Sequence, residues 1–310
     1  MRIVIDTDAG VDDAQAIMMA LTYPGVTVEA ITTLTGNVHV NWVVKNIFAI
    51  LDVMGAEVPI YRGADHPLLP GRWQPETNIH GEDGLGNYKN RSQNNNRQPK
   101  SAPAAVALVR LANEMPGELT LVSLGPLTNI ALACKLDPTF PQKIRQFVFM
   151  GGTISALGNT RNLTAEFNIL CDPEAALITL DAFPQSMMVS WETTLKHTFP
   201  WPDYDALAAT PTTAGRFFRD TTLTGTTYIR GLRAEFGYLL PDPLAMAVAL
   251  QPDLILSRDQ RYVSVELDGL LTRGQTVVDH LELSGRAPNV DIITEIDVPG
   301  VFRLYEQMLA

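Results

Sequence analysis

A short apolar, β-branched run that leads at once into four carboxylates constrains this chain more than any other stretch: Arg2-Ile-Val-Ile-Asp6-Thr-Asp8-Ala-Gly10-Val-Asp12-Asp13-Ala-Gln-Ala-Ile17. The run Ile3 to Ile5 is hydrophobic at every position, as strands of parallel sheets are when both faces are covered. Beyond it Ala14, Ile17, Met18 and Leu21 fall at helical spacing. The expected unit is a buried strand, a tight turn eased by Gly10, and a helix. Open α/β sheets bind ligands beyond the carboxyl ends of their strands, and the four acids fall there.

Carboxylates this crowded repel one another. They are relieved by pairing, by raised pKa values, or by a hard cation that takes oxygen ligands. No Lys or Arg lies between Arg2 and Lys45, so local salt bridges are a poor explanation. Negative charge at a helix N-terminus accounts for Asp12 and Asp13 but not for the whole set. A Ca²⁺ or Mg²⁺ site accounts for all four.

The bulk properties narrow the class. A chain of 310 residues with 46% hydrophobic content has enough material for one large α/β domain. A formal net charge of -11 argues against non-specific nucleic-acid binding. No apolar run is long enough for a membrane span, and no secretory leader precedes the first strand. Cys134 and Cys171 form neither a disulfide framework nor a metal motif. A soluble, cytoplasmic protein is expected.

Val26–Leu34 reads as the second strand and is followed by Asn37; Val40–Met54 reads as a helix and Val58–Tyr61 as a third strand. Residues 62–101 lack periodicity, and a loop that long in a compact domain is usually functional or disordered. Its tail, 91–100, reads as a flexible exposed excursion. Its middle, Asn78-Ile-His80-Gly81-Glu-Asp-Gly84-Leu-Gly86, is punctuated by glycine and carries one His. Leu119–Leu124 is a strand that turns at Gly125-Pro126 into a helix, with Thr128 or Asn129 as its cap. After the strand Ile144–Met150 come Gly158-Asn159, Asn162 and Glu166-Phe-Asn168. In an extended segment Glu166 and Asn168 point the same way. Asp172-Pro173 is a helix-start signal, and so is Asp242-Pro243. With no linker and no internal repeat, residues 1–310 are expected to form a single domain.

Taken in order, these motifs strongly resemble those of the nucleoside hydrolase family, the inosine-uridine preferring N-ribohydrolases, over nearly the whole chain. The resemblance implies an α/β fold with a mostly parallel central sheet flanked by helices, Rossmann-like and open. It implies calcium-dependent hydrolysis of the N-glycosidic bond of ribonucleosides to ribose and free base, through an oxocarbenium-like sugar. Matched residue by residue, Asp8, Asp13, Asp242 and the main-chain carbonyl of Leu124 would hold Ca²⁺, with Asp8 also the general base. Asp12, Asn37, Glu166 and Asn168 would bind the ribose. Asn159 joins them, although it lies one residue farther from Glu166 than the family spacing, which leaves Asn162 as the alternative. His80, on a loop able to close over ligand, would face the base or the sugar rim, and Tyr228 would lie beside the base. The implied partner is a small ribonucleoside, and the implied assembly a homodimer or homotetramer.

One departure stands out. Many members carry His immediately before the aspartate at 242, where it protonates the leaving base, and this chain has Pro241. Leaving-group activation then falls to His80 or Tyr228, or the substrate is a base that leaves readily. Pro241 also raises a nucleoside-binding protein without turnover, or a hydrolase of a modified N-riboside. Asp6-x-Asp8 further mimics the paired aspartates of haloacid-dehalogenase-like phosphatases, which the adjoining Asp12-Asp13 pair fits poorly.

Overall fold

The computed structural model describes residues 1–69, 73–91 and 97–310. Among these, the strands are β1 (Arg2–Thr7), β2 (Thr27–Thr33), β3 (Ile60–Arg62), β4 (Leu119–Ser123), β5 (Ile144–Met150), β6 (Ser186–Val189), β7 (Ile255–Arg261), β8 (Val263–Val265), β9 (Thr276–Val278) and β10 (Val290–Ile296). The early helices are α1 (Val11–Thr22), α2 (Val40–Met54), α3 (Thr77–His80), α4 (Ala104–Glu114), α5 (Thr128–Leu136), α6 (Phe140–Lys143) and α7 (Phe167–Cys171). The later ones are α8 (Pro173–Ala182), α9 (Trp191–Lys196), α10 (Trp201–Ala208), α11 (Thr213–Arg233), α12 (Pro241–Leu250) and α13 (Val298–Leu309).

Eight strands form one sheet in the order β3-β2-β1-β4-β5-β6-β10-β7, parallel except for β7 against β10. β8 and β9 pair separately, antiparallel. The chain leaves β1 through β2 and β3 on one side, then returns through β4 on the other. β1 and β4 therefore flank the point where strand order reverses, and the crevice beyond their carboxyl ends is where such sheets bind ligands.

Alternation along β1 sets the two layers of the core. Ile3 and Ile5 pack with α1, α2, α12 and α13, while Val4 packs with α4, α5 and α8 on the other face. Each such buried aliphatic contributes about 1.5–3 kcal/mol relative to exposure. The result is the single-domain α/β architecture expected from the sequence, with a mostly parallel sheet flanked by helices.

Three local expectations are corrected. The third strand is Ile60–Arg62 rather than Val58–Tyr61. Glu166 to Asn168 is not extended: Glu166 is the N-cap of α7, accepting the N–H of Asn168 and of Ile169. Neither Thr128 nor Asn129 caps α5. The Thr128 hydroxyl donates to Asp172 at 2.7 Å and the Asn129 amide to Asp6 at 2.8 Å. Buried carboxylates, which must be hydrogen-bonded, draw these side chains away from their own backbone. Asp172 does cap α8, accepting Ala175 N–H at 3.1 Å, and also takes Leu68 N–H at 2.8 Å. The segment expected to be one long loop contains α3 and returns to the sheet edge where Lys100 N–H reaches Ile60 O at 2.8 Å. Residues 70–72 and 92–96 of that segment, including half of its expected excursion, lie outside the described residues.

Candidate active site

β1 ends at Thr7, and Asp8, Ala9 and Gly10 form the turn into α1. Sequence alone suggests that Gly10 serves backbone freedom, but its φ is -77°, and Ala9 takes the left-handed conformation at φ 34°. Gly10 is needed for space. A Cβ there would stand 2.5 Å from both Asn37 Nδ2 and His80 Nδ1. Asp13, in the first turn of α1, accepts the Gly10 N–H at 2.7 Å and the Thr7 hydroxyl. It therefore does stabilise the helix start, as the simpler reading holds.

Asp8 is completely buried, with Oδ2 accepting the Asn37 N–H at 2.6 Å. Its Oδ1 has no hydrogen-bond partner among the described residues. Two glycines make room for this carboxylate: a Cβ at Gly36 would lie 2.0 Å from Oδ2, and one at Gly125 would lie 2.7 Å from Oδ1. Gly36→Ala is accordingly expected to displace Asp8 and to lower kcat roughly 10²-fold, the cost of an ångström-scale misplacement, while circular dichroism stays native.

Asp12, Asp13 and Asp242 bring one carboxylate oxygen each within 4.8 Å of one another. Burial, then the Asp12 charge, pushes Asp13 up to about 6. Burial, then Asp13, holds Asp8 well above the usual carboxylate range. Asp242 is raised in the same way by burial and by Asp12, Asp13 and Asp8. Carboxylates packed together in a dry site, one with an orphaned oxygen, suit a hard divalent cation with oxygen ligands. Asp6 lies outside this cluster. It faces the opposite side of the sheet from Thr7, bonded to Thr32 Oγ1 at 2.5 Å and to Asn129, and burial pushes it up to about 7.

Above the acids is a cavity of about 510 Å³. Of the residues singled out in the sequence, Asp12, Asn37, His80, Leu124, Asn159, Glu166, Asn168, Tyr228 and Asp242 line it, while Asp8 and Asp13 are buried and do not. Asn162 does not line it either. Its amide donates to Arg273 O at 2.7 Å and accepts Ala165 N–H at 3.1 Å, so Asn159 is the asparagine that faces the cavity. The Glu166 carboxylate accepts backbone N–H groups from Asn168 at 2.8 Å, Gly152 at 3.0 Å and Ile169 at 3.1 Å. Burial still pushes it up to about 7. Asn168 Nδ2 donates to Leu124 O at 2.8 Å, which leaves that carbonyl one further lone pair. His80 Nδ1 lies 3.7 Å from Asp12 Oδ1 but accepts the Val11 N–H at 3.1 Å. The neutral ring therefore carries its proton on Nε2.

Sequence reasoning missed a second polar group at the cavity. Gln15 Oε1 accepts the hydroxyls of Tyr238 at 2.9 Å and Tyr305 at 2.6 Å, and its Nε2 donates to Val11 O at 3.0 Å. Gln15 and Tyr238 line the cavity with Trp191, Phe167 and Phe236. These partners lie 223 and 290 residues from Gln15, and no local pattern announces such pairs.

Comparison with known proteins matches this arrangement. The sequence profile of the inosine-uridine preferring nucleoside hydrolases covers residues 3–303. The non-specific ribonucleoside hydrolase RihC of Escherichia fergusonii is 33% identical over 310 residues, 100% of this chain and 98% of the relative. Among solved structures, an inosine-guanosine nucleoside hydrolase superposes with a TM-score of 0.91 at 35% identity, covering 99% of this chain and 98% of the other. A purine-preferring ribonucleoside hydrolase from Gardnerella vaginalis gives 0.90 at 30% identity, covering 100% and 98%. With the fold, the acidic cluster and the whole length of the sequence in agreement, the chain belongs to the inosine-uridine preferring nucleoside hydrolase family, and it is a hydrolase of N-glycosyl compounds.

Proposed function

We propose that the protein hydrolyses ribonucleosides to ribose and free base with Ca²⁺ at the acidic cluster and Asp8 as general base. The observation that carries this reading is the unpartnered, buried Oδ1 of Asp8 beneath a cavity lined with sugar-binding amides and carboxylates. Asp8, Asp13, Asp242 and the Leu124 carbonyl are the residues that would hold the cation; Asp13 and Asp242, with Asp12, are the carboxylates whose oxygens come within 4.8 Å of one another. A bound divalent cation supplies Lewis-acid polarisation of a water, lowering its pKa. Asp8 takes the proton from the attacking water. Asp12, Asn37, Asn159 and Asn168 bind the ribose hydroxyls. Glu166, fixed by its three backbone donors, holds its carboxyl toward the oxocarbenium-like sugar.

The proline ring at 241 has no proton to give to the leaving base. His80 offers its Nε2–H as a hydrogen-bond donor to that base, and its ring lines the same cavity. His80→Ala is expected to lower kcat roughly 10²-fold on inosine and uridine, with KM changing less, because a hydrogen bond to the departing base matters most for poor leaving groups. On p-nitrophenyl riboside the variant is expected to stay near wild type. Equal losses on both substrates would remove His80 from this role.

Reducing-sugar release from inosine, guanosine, adenosine, uridine and cytidine tests the whole reading. The likeness to an inosine-guanosine and a purine-preferring nucleoside hydrolase favours purines in that panel. Turnover of the nitrophenyl substrate alone would point to a modified N-riboside. Nucleoside binding by a folded, calcium-loaded protein without any turnover would sink the proposal. The same reading carries a cytoplasmic enzyme and a homodimer or homotetramer. The exposed Leu163, Leu270, Leu271, Leu281 and Leu283 support self-association, and among the described residues no helix is long and apolar enough to cross a membrane.

A further inference from the structure

Asn46 is completely buried in α2, among aliphatic residues that include Val43, Ile47 and Ile50. It does not line the cavity. A buried amide in such surroundings is unfavourable unless its hydrogen bonds are made, and here each is made to a different part of the chain. Nδ2 donates to Ala9 O at 3.0 Å and to Asp83 O at 2.9 Å. Oδ1 accepts Arg91 Nη2 at 2.8 Å.

The two carbonyls belong to the two segments that the reaction brings together. Ala9 follows Asp8 and has the left-handed φ of 34°, a conformation that a side chain with a Cβ holds only when its surroundings impose it. Asp83 lies on the glycine-punctuated loop that begins at His80. That loop is closed on itself: Gly86 N–H reaches His80 O at 2.8 Å, and Asp83 Oδ1 accepts Leu85 and Asn87 N–H, each at 2.8 Å. Arg91 Nη1 donates to Asp83 Oδ2 at 2.6 Å while its other nitrogen holds Asn46. The loop is therefore braced internally, and Asn46 ties it to the turn carrying Asp8.

We propose that Asn46 is a positioning residue that places the His80 loop against the Asp8 turn, so that one buried amide sets the distance between water activation and the hydrogen bond to the leaving group. The inference rests on the reading of His80 as leaving-group donor. A leucine at 46 would fill similar space yet satisfy neither carbonyl.

The test is the ratio of kcat on inosine to kcat on p-nitrophenyl riboside, measured for wild type, Asn46→Leu, Arg91→Gln, Val43→Ala and His80→Ala. Val43→Ala is a stability control: it removes buried volume from the same helix and takes away no hydrogen bond to either loop. Asn46→Leu is expected to lower the ratio about tenfold, as loosened positioning does. Arg91→Gln should lower it in the same direction and by less, and Val43→Ala should leave it unchanged. Nitrogen-15 shifts of the His80 ring give a readout independent of turnover: one Nε2–H tautomer in wild type, mixed tautomers in Asn46→Leu. Should Asn46→Leu fail to fold, the Arg91→Gln ratio and ring shifts decide. Equal loss on both substrates, or a ratio lowered as far by Val43→Ala, would overturn the proposal. If His80→Ala lowers the ratio and the Asn46 and Arg91 variants do not, this inference alone fails. If His80→Ala leaves the ratio unchanged, the leaving-group reading fails and takes this inference with it.

Discussion

Asp8→Asn is expected to lower kcat on inosine by about 10³-fold, within the range that a positioned general base contributes. The substitution keeps the shape of the side chain. Its carbonyl oxygen can still accept the Asn37 N–H that now bonds Oδ2 at 2.6 Å. What changes is the oxygen without a partner, which becomes an NH₂ group unable to accept a proton or to ligate a cation. Asp6→Asn is the informative contrast. Its carboxylate is equally buried, and its Oδ2 is likewise without a partner among the described residues, but it faces Thr32 and Asn129 on the other side of the sheet, so kcat should change by no more than about tenfold. Steady-state kinetics, with calorimetric titration of Ca²⁺ and a thermal melt for each variant, separate lost chemistry from lost fold. Asp8→Asn retaining activity within about tenfold of wild type would transfer the base to another residue.

How far the sequence foretold this site depended on how far apart its parts lie in the chain. Asp8, Asp12 and Asp13 are neighbours, and acids crowded without local cations are legible at once. The strands were legible for a similar reason, because burial on both faces leaves continuous apolar runs. Other features have local signals that mean two things. Glu166-Phe-Asn168 alternates as a strand would, but Glu166 is a good helix cap, and the buried N–H groups of Gly152 and Ile169 favoured the cap. Asp242 alone looked like an ordinary cap, and only resemblance to a family linked it with Asp13, 229 residues earlier, which it approaches in space. Gln15, Tyr238 and Asn46 sit inside unremarkable apolar patterns. Their roles come from tertiary contacts, and nothing in local propensity or periodicity encodes those. Gly10 was recognised as necessary for the wrong reason, since the crowding by Asn37 and His80 involves residues that fold in from elsewhere.

Removal of divalent cations is expected to make the protein less stable at about pH 8 than at about pH 5.5, with Ca²⁺ restoring stability mainly at the higher pH. The sign follows from the carboxyls. Burial and mutual repulsion raise Asp13 to about 6 and, with burial dominant, Asp6 and Glu166 to about 7, while Asp8 and Asp242 are raised well above their ordinary value. Groups raised on folding stabilise the native state fully below their unfolded pKa, near 3.8 for Asp, and that contribution is lost as pH rises through the folded values. Above about pH 7 the cation-free site must therefore hold several charges in a dry space, and the melting temperature falls. A cation reverses this because it binds the ionised carboxylates and displaces their protons. At about a hundredfold excess over its dissociation constant it contributes about 2.7 kcal/mol. For a domain of this size that is a rise of roughly 4 °C. At about pH 5.5 protons compete for the same oxygens, so the shift should shrink to a small fraction of that. Scanning calorimetry in EDTA and in CaCl₂ at the two pH values measures all four points. An equal calcium shift at both would mean that the bound ion does not displace protons from these carboxyls, and the acids would then need another partner to explain how they share one site.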